Sequence, residues 1–387
     1  MRERPASGSR THAARRERMP ASGPGGRIVR ATVLRLACPL ARPYRLSSGD
    51  LTVFDPILVA LRDGEGAAGW GEALIIPGYT HESIEGSWEV ACMLAERAVG
   101  AGPGRVAALA AEWLVPNPGV SSAVLAALDM LGADPLLAAA GPARVPLLAP
   151  CQAHGRAEIR DEVQALLDQG YATLKVKVGY DWRADLERVG WVQEAAAGRA
   201  VLRLDANRGF APNDGARFAR ALAPQGIELF EQPCGSDDWE GNARVAEVSA
   251  VPVMLDESIY GMKEIERAAT LANVGFVKLK LKKIGSAAML ERALRRIAEL
   301  GMTPVLGDGV GLELACWMEA CVGARTIANA GEMNGFLKVR QGLFADPLPY
   351  RRGAIEMPAG YWPRIDPQAL RRCTLHARSF GAGEPIP

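Results

Sequence analysis

From Val145 onward the chain alternates short apolar runs with helical patterns. Strand-like runs fall at 145–149, 173–178, 200–205, 227–231, 252–256, 275–281, 303–307 and 325–330. Each but the last is followed by a helical stretch, such as Arg183–Ala197 or Ala287–Leu300. Regular strand–helix alternation of this kind predicts parallel strands wound into a (β/α)₈ barrel over residues 145–340.

The pattern before Val145 is different. Ile28–Leu36 and Thr52–Arg62 read as strands, Asp63-Gly64 as a turn and Ala67–Ala73 as a hairpin partner. Helical patterns follow over 84–99, 106–113 and 121–137. Strands followed by helices predict an α+β capping domain over residues 27–144. Residues 43–50 (PYRLSSGD) and 75–82 (IIPGYTHE) are predicted as loops, the kind of segment that carries specificity. Residues 341–387 are irregular and predicted to pack back on the cap. Residues 1–26 are Arg-, Ser-, Pro- and Gly-rich with few large apolar side chains, which predicts a disordered extension, with Met19 an alternative start. The predicted fold class is α/β: a modified TIM (β/α)-barrel with an N-terminal α+β capping domain completed by the C-terminal segment.

The ends of the barrel strands carry the chemistry. The second run, Thr173–Gly179 (TLKVKVG), places Lys175 and Lys177 two apart, so both point to one face. The third ends in Asp205 and Asn207, the fourth in Glu231 and Gln232, the fifth in Asp256 and Glu257. The sixth carries Lys278, Lys280 and Lys283. From Lys177 the steps to Asp205, Glu231, Asp256 and Lys280 are 28, 26, 25 and 24 residues, one β/α unit each. These residues therefore stack at one height, at the C-terminal mouth where barrel enzymes build their sites.

Composition narrows the chemistry further. A net charge of +1 points to neither a nucleic-acid nor a membrane surface, and no run of about 18 apolar residues predicts a span. Seven scattered cysteines without a CxxC pair fit a reduced, cytoplasmic setting. Four histidines leave little room for histidine-based catalysis. Three carboxylates converging from adjacent strands repel one another without a counter-ion. An all-oxygen set suits Mg²⁺, with Mn²⁺ as a substitute, better than Zn²⁺. Lys177 and Lys280 would flank the metal, with Lys175 lowering the pKa of Lys177 toward neutrality.

The motifs LKVKVG (174–179), LDAN (204–207), EQP (231–233), LDES (255–258) and LKLKKIG (279–285) resemble the enolase superfamily. Within it the resemblance is to the mandelate racemase/muconate lactonizing enzyme family, in its muconate-lactonising, dipeptide-epimerase-like branch. That resemblance implies Mg²⁺ on Asp205, Glu231 and Asp256. It implies Lys177 and Lys280 as opposed acid/bases tuned by Lys175, Asn207 in support of the metal site, and a homo-oligomer. The implied chemistry is abstraction of the proton α to the carboxylate of a small-molecule substrate, through an enediolate. Racemisation, epimerisation and cycloisomerisation all fit, and dehydration is an alternative. A Schiff-base lysine aldolase is the alternative from another class. A histidine-dependent site like that of mandelate racemase is disfavoured, because the seventh strand run ends VLGDGVG (305–311) with no histidine and the sixth ends in lysine.

Two departures bear on the substrate. After the seventh run the chain reads Gly307-Asp308-Gly309-Val310-Gly311, where an LES-like element is common in relatives with muconate or dipeptide activity. After the eighth it reads Glu332-Met333-Asn334, where dipeptide epimerases carry Asp-x-Asp to grip an ammonium group. Asp308, Glu332 and Asn334 are thus candidate substrate contacts, and an ammonium partner stays possible. Tyr79 and His81 are candidates to close over the site from the second capping loop.

Overall fold

The computed structural model describes residues 26–46, 49–76, 78–139 and 141–382. The disordered extension expected up to residue 26 lies almost wholly outside the described residues.

Five strands open the chain: β1 (Ile28–Leu36), β2 (Cys38–Leu46), β3 (Gly49–Phe54), β4 (Pro56–Asp63) and β5 (Ala68–Leu74). The single strand expected over 52–62 is two. Pro56 offers no N–H and restricts Asp55 before it, so the ladder breaks there. Asp55 instead takes the Arg35 guanidinium, with Nη2 2.6 Å from Oδ2. The loop expected over 43–50 is also corrected: β2 and β3 pair as an antiparallel ribbon that brings Tyr44 opposite Leu51. β4 pairs antiparallel with β1 and β5. Helices Ile84–Ala98, Pro103–Ala111 and Pro118–Leu131 cover this sheet. The last approaches β5 so closely that a Cβ on Gly71 would meet Ala123 O at 1.8 Å, and one on Gly69 would meet Ala127 O at 2.0 Å. Only glycine permits that contact.

The remaining strands are β6 (Ala143–Pro146), β7 (Ala149–Cys151), β8 (Thr173–Lys177), β9 (Val201–Asp205), β10 (Ile227–Glu231), β11 (Val253–Leu255), β12 (Val274–Leu279), β13 (Thr303–Leu306), β14 (Tyr350–Arg351), β15 (Ala354–Met357) and β16 (Thr374–Gly381). β7 to β13 form one parallel sheet in chain order, with helices between the strands from β7 onward. The strands are short, Leu/Val-rich and buried on both faces, as a parallel sheet requires. β16 adds to β1, so the C-terminal segment completes the capping sheet.

Two barrel expectations are corrected. The first run splits: β6 pairs with β15 outside the barrel, and only β7 joins β8. The eighth run is no strand, because helix Glu313–Thr326 continues into it. Residues 325–326 finish that helix, and 327–330 form no strand. Residues 329–332 nonetheless close the ring. Leu147 and Gly331 form a single parallel bridge, Glu332 N donates to Leu306 O at 2.8 Å, and Leu148 N donates to Gly331 O at 3.0 Å. Below them Arg203, fully buried, donates to Ala330 O at 2.8 Å and pairs with Glu228 at 2.5 Å. A buried guanidinium needs such partners for its donors.

Among the described residues no helix is long and apolar enough to cross a membrane.

Candidate active site

Sheet register builds the site. Lys177 stands opposite Asp205, and Asp205 opposite Glu231. Asp256 follows β11 directly and Lys280 follows β12. All five reach a cavity of about 460 Å³ or its floor, within the usual range for a small-molecule site.

The lysines divide the carboxylates among them. Lys177 Nζ lies 2.6 Å from Asp205 Oδ2 and also donates to Asn207 Oδ1. Lys280 Nζ lies 2.8 Å from Asp256 Oδ2. These two stand on opposite sides of the cluster, with β9, β10 and β11 between their strands. Lys175 Nζ lies 2.8 Å from both Asp205 Oδ2 and Glu231 Oε2, and 2.5 Å from Glu332 Oε1. Lys278 Nζ lies 2.7 Å from Glu231 Oε1 and 3.2 Å from Asp256 Oδ2, and it contacts Glu332 Oε2.

The three carboxylates gather around two shared ammonium groups. The ammonium groups of Lys175 and Lys278 lie between them, and among the described residues no three metal-ligating side chains are gathered closely enough to hold an ion as they stand. The donor chemistry still fits a hard divalent cation, because every candidate ligand is a carboxylate oxygen. Glu231 Oε2, although near Lys175, makes no hydrogen bond.

The electrostatics follow from this pairing. Burial opposes the Asp205 charge, but Lys175, Lys177 and Lys278 outweigh it and hold the carboxyl below its usual range. Burial likewise works against Asp256, and Lys278, Lys280 and Lys283 push it well down. Burial and the neighbouring Asp205 instead lift Glu231 to about 7. Burial pushes Lys177 down and so does Lys175, yet Asp205 leaves its ammonium above the ordinary range. The expected fall toward neutrality is not met while Asp205 pairs with it: in this arrangement Lys177 is an acid. Burial pushes Lys280 down too, and Asp256 more than reverses it.

The supporting groups are placed by strand ends in unusual conformations. Asn207 and Gln232 have φ of 41° and 37°, a left-handed bend that asparagine adopts with little penalty and glutamine with more. The Asn207 N–H donates to Asp205 Oδ1 at 2.9 Å, and its amide donates to Glu257 Oε1 at 3.0 Å. Gln232, fully buried, accepts from Asp256 N at 3.0 Å and Ser258 N at 3.1 Å, so it fixes the turn that carries Asp256. Tyr79 enters from the cap. Its hydroxyl donates to Asp256 Oδ1 at 3.1 Å, and Lys280 Nζ contacts that hydroxyl while lying 4.1 Å from the ring centroid.

The other sequence candidates divide. Asp308, Glu332 and Asn334 line the cavity, but Asp308 is held by Lys282 at 2.6 Å. His81 does not: its Nε2 lies 2.9 Å from Pro116 O, at an exposed position. Sequence reasoning missed Tyr44, Gln232 and Lys338 as site residues, and left Lys278 out of the site. The parity of Lys278 with Lys280 was a signal for the last.

A match to the enolase C-terminal domain-like family covers residues 158–361, more than half of the 387-residue chain. The L-Ala-D/L-Glu epimerase of Bacillus subtilis is 27% identical over 350 residues, covering 86% of this chain and 94% of that protein. The N-succinylamino acid racemase of an Amycolatopsis species is 30% identical over 266 residues, 65% of this chain and 70% of that protein. The solved N-succinyl Arg/Lys racemase of Bacillus cereus superposes with a TM-score of 0.82 at 22% identity, over 91% of this chain and 99% of that one. These relatives are isomerases, and their fold is shared from cap to barrel. The chain belongs to the mandelate racemase/muconate lactonizing enzyme family of the enolase superfamily.

Proposed function

We propose that this chain is a divalent-metal-dependent racemase or epimerase of an amino acid derivative. The carrying observation is the pair Lys177 and Lys280, one anchored by Asp205 and the other by Asp256 on opposite sides of one cavity. A substrate whose α-carbon lies between them exposes one face to each. One lysine, as the free amine, takes the α-proton and becomes an ammonium. The electron pair moves into the carboxylate to give an enediolate. The other lysine delivers a proton to the opposite face, which inverts the centre.

Asp205, Glu231 and Asp256 would hold Mg²⁺, or Mn²⁺ in its place. Bound there, the ion would supply positive charge to offset the negative charge that develops on the substrate carboxylate. Lys175 and Lys278 keep the carboxylates compensated, and Tyr79 closes the Lys280 side. The named activities of the relatives, epimerisation of dipeptides and racemisation of N-succinylamino acids, support an amino acid derivative as substrate.

The test is α-proton exchange in D₂O, followed by NMR, with N-acylated amino acids and dipeptides as probes. Mg²⁺-dependent exchange with loss of optical purity is expected, abolished by EDTA and restored by Mg²⁺. Exchange untouched by EDTA would exclude the metal, and borohydride trapping of a carbonyl substrate on a lysine would favour the aldolase alternative. Failure of every acid to exchange would sink the proposal.

A further inference from the structure

The cavity wall beyond the cluster says which substituent the substrate carries, on the footing of the function proposed above. Glu332 and Asn334 were the candidates to grip an ammonium group. Both are already engaged. Glu332, 6% exposed, has one oxygen 2.5 Å from Lys175 Nζ and the other against Lys278 Nζ. Asn334 donates to Leu148 O at 3.1 Å, and its oxygen accepts from Lys338 at 2.6 Å. Asp308 is held by Lys282 at 2.6 Å. Glu257 faces Arg208 at 3.8 Å, and its unpartnered Oε2 is fully buried. Each of these carboxylates already has a cation within 4 Å, so a substrate ammonium would find none around this cavity free of one.

Lys338 is the opposite case. Among the described cations lining the cavity, Lys338 and Arg188 have no carboxylate in ion-pair contact, and Arg188 gives its donors to three backbone carbonyls. Lys338 contacts two neutral acceptors, Gly309 O and Asn334 Oδ1, which leaves one ammonium N–H uncommitted. Its nitrogen lies 5.0 Å from the centroid of the Tyr44 ring. Its backbone is fixed at the seam of cap and barrel, where Ala41 N donates to Lys338 O at 2.8 Å. Burial depresses this ammonium to about 8, as expected for a half-buried cation without an anion beside it.

We infer that Lys338 receives a second carboxylate, carried on the non-reacting arm of the substrate, so that the enzyme prefers dicarboxylates over substrates with a free ammonium. An amino acid acylated by a dicarboxylic acid has this chemistry, and so does a muconate-type diacid. The two sources differ in product: the first exchanges and inverts an α-proton, the second closes to a lactone.

The experiment compares kcat/KM for N-succinyl-leucine, N-acetyl-leucine, Ala-Leu and cis,cis-muconate in the presence of Mg²⁺. The wild type is expected to favour a dicarboxylate over N-acetyl-leucine by about 10- to 100-fold, the scale of one hydrogen bond to a charged group. The ratio of the two should collapse toward one in Lys338→Met, through KM, and be retained in Lys338→Arg. A merely structural lysine would lower both substrates together and leave the ratio intact, which would overturn the inference. So would a wild type that turns over N-acetyl-leucine or Ala-Leu as well as either dicarboxylate. Turnover without discrimination defeats this inference alone; absence of exchange and of lactone formation with all four probes defeats the proposed function with it.

Discussion

The floor and the wall of the cavity are built on opposite principles. On the floor, four buried carboxylates (Asp205, Glu231, Asp256, Glu332) are interleaved with Lys175 and Lys278, each ammonium touching three of them. On the wall, Lys338 stands with only neutral oxygens beside it. Buried charge is tolerated where a partner offsets its desolvation. The floor meets that condition within the protein. The wall meets it only partly, through two carbonyl dipoles, a nearby ring and residual exposure. A site paired internally holds its geometry whether or not substrate is present, and one left incomplete gains from a ligand that completes it.

The sharpest way to break this contrast is at the two lysines that flank the floor. Lys177→Ala and Lys280→Ala should each lower racemisation by about 10²- to 10⁴-fold, the usual contribution of a general acid/base. Each should also remove exchange from a different enantiomer. A variant that loses neither enantiomer's exchange, by NMR in D₂O, would remove that lysine from the mechanism.

Lys278→Met tests the floor as structure. It strips one of the two cations from Glu332 and one each from Glu231 and Asp256. Removing one partner from a buried charge set costs about 3–5 kcal/mol. Thermal melting should show a fall of several degrees. Lys278→Met combined with Glu332→Met should recover part of it, since the double change leaves less uncompensated charge. If the single variant melts like wild type, the interleaved cluster is not what holds the floor.

Tyr79→Phe removes a hydroxyl that donates to Asp256 and touches Lys280. A loss of about 1 kcal/mol, roughly 5-fold in kcat, is the expected scale. An unchanged kcat would reduce Tyr79 to a lid without a polar role.

A pH profile tests the wall. Lys338 titrates near 8, below the ordinary lysine range, so it is charged below that pH and neutral above it. KM for a dicarboxylate should therefore rise as pH passes upward through about 8, and by less for a monocarboxylate. The profile is measured for both substrates in wild type and in Lys338→Met, which should flatten the difference. Equal pH slopes for the two substrates in wild type would remove the contrast between floor and wall.

The barrel phase of the floor was legible because strand spacing is a local property. A period of two puts Lys175 and Lys177 on one face, and one β/α unit per step puts Asp205, Glu231, Asp256 and Lys280 at one height. The same local reading misjudged residues 325–330, of which 325–326 finish a helix and 327–330 form no strand. It also misjudged the ribbon around Tyr44, because a hairpin in a separate two-stranded sheet carries no core-facing alternation to betray it.

The sequence by itself determined the family, the barrel, the opposed lysines and the carboxylates, since periodicity and motif spacing encode all four. Only the tertiary structure decided how those charges are shared. Whether an ammonium is paired depends on which groups separate chain segments bring within about 3–4 Å, a distance that Coulomb energy reads steeply and sequence spacing does not record. Thus Glu332 looked available and is engaged by Lys175 and Lys278 from across the barrel. Lys338, which lies in none of the sequence motifs, faces the cavity with no carboxylate beside it.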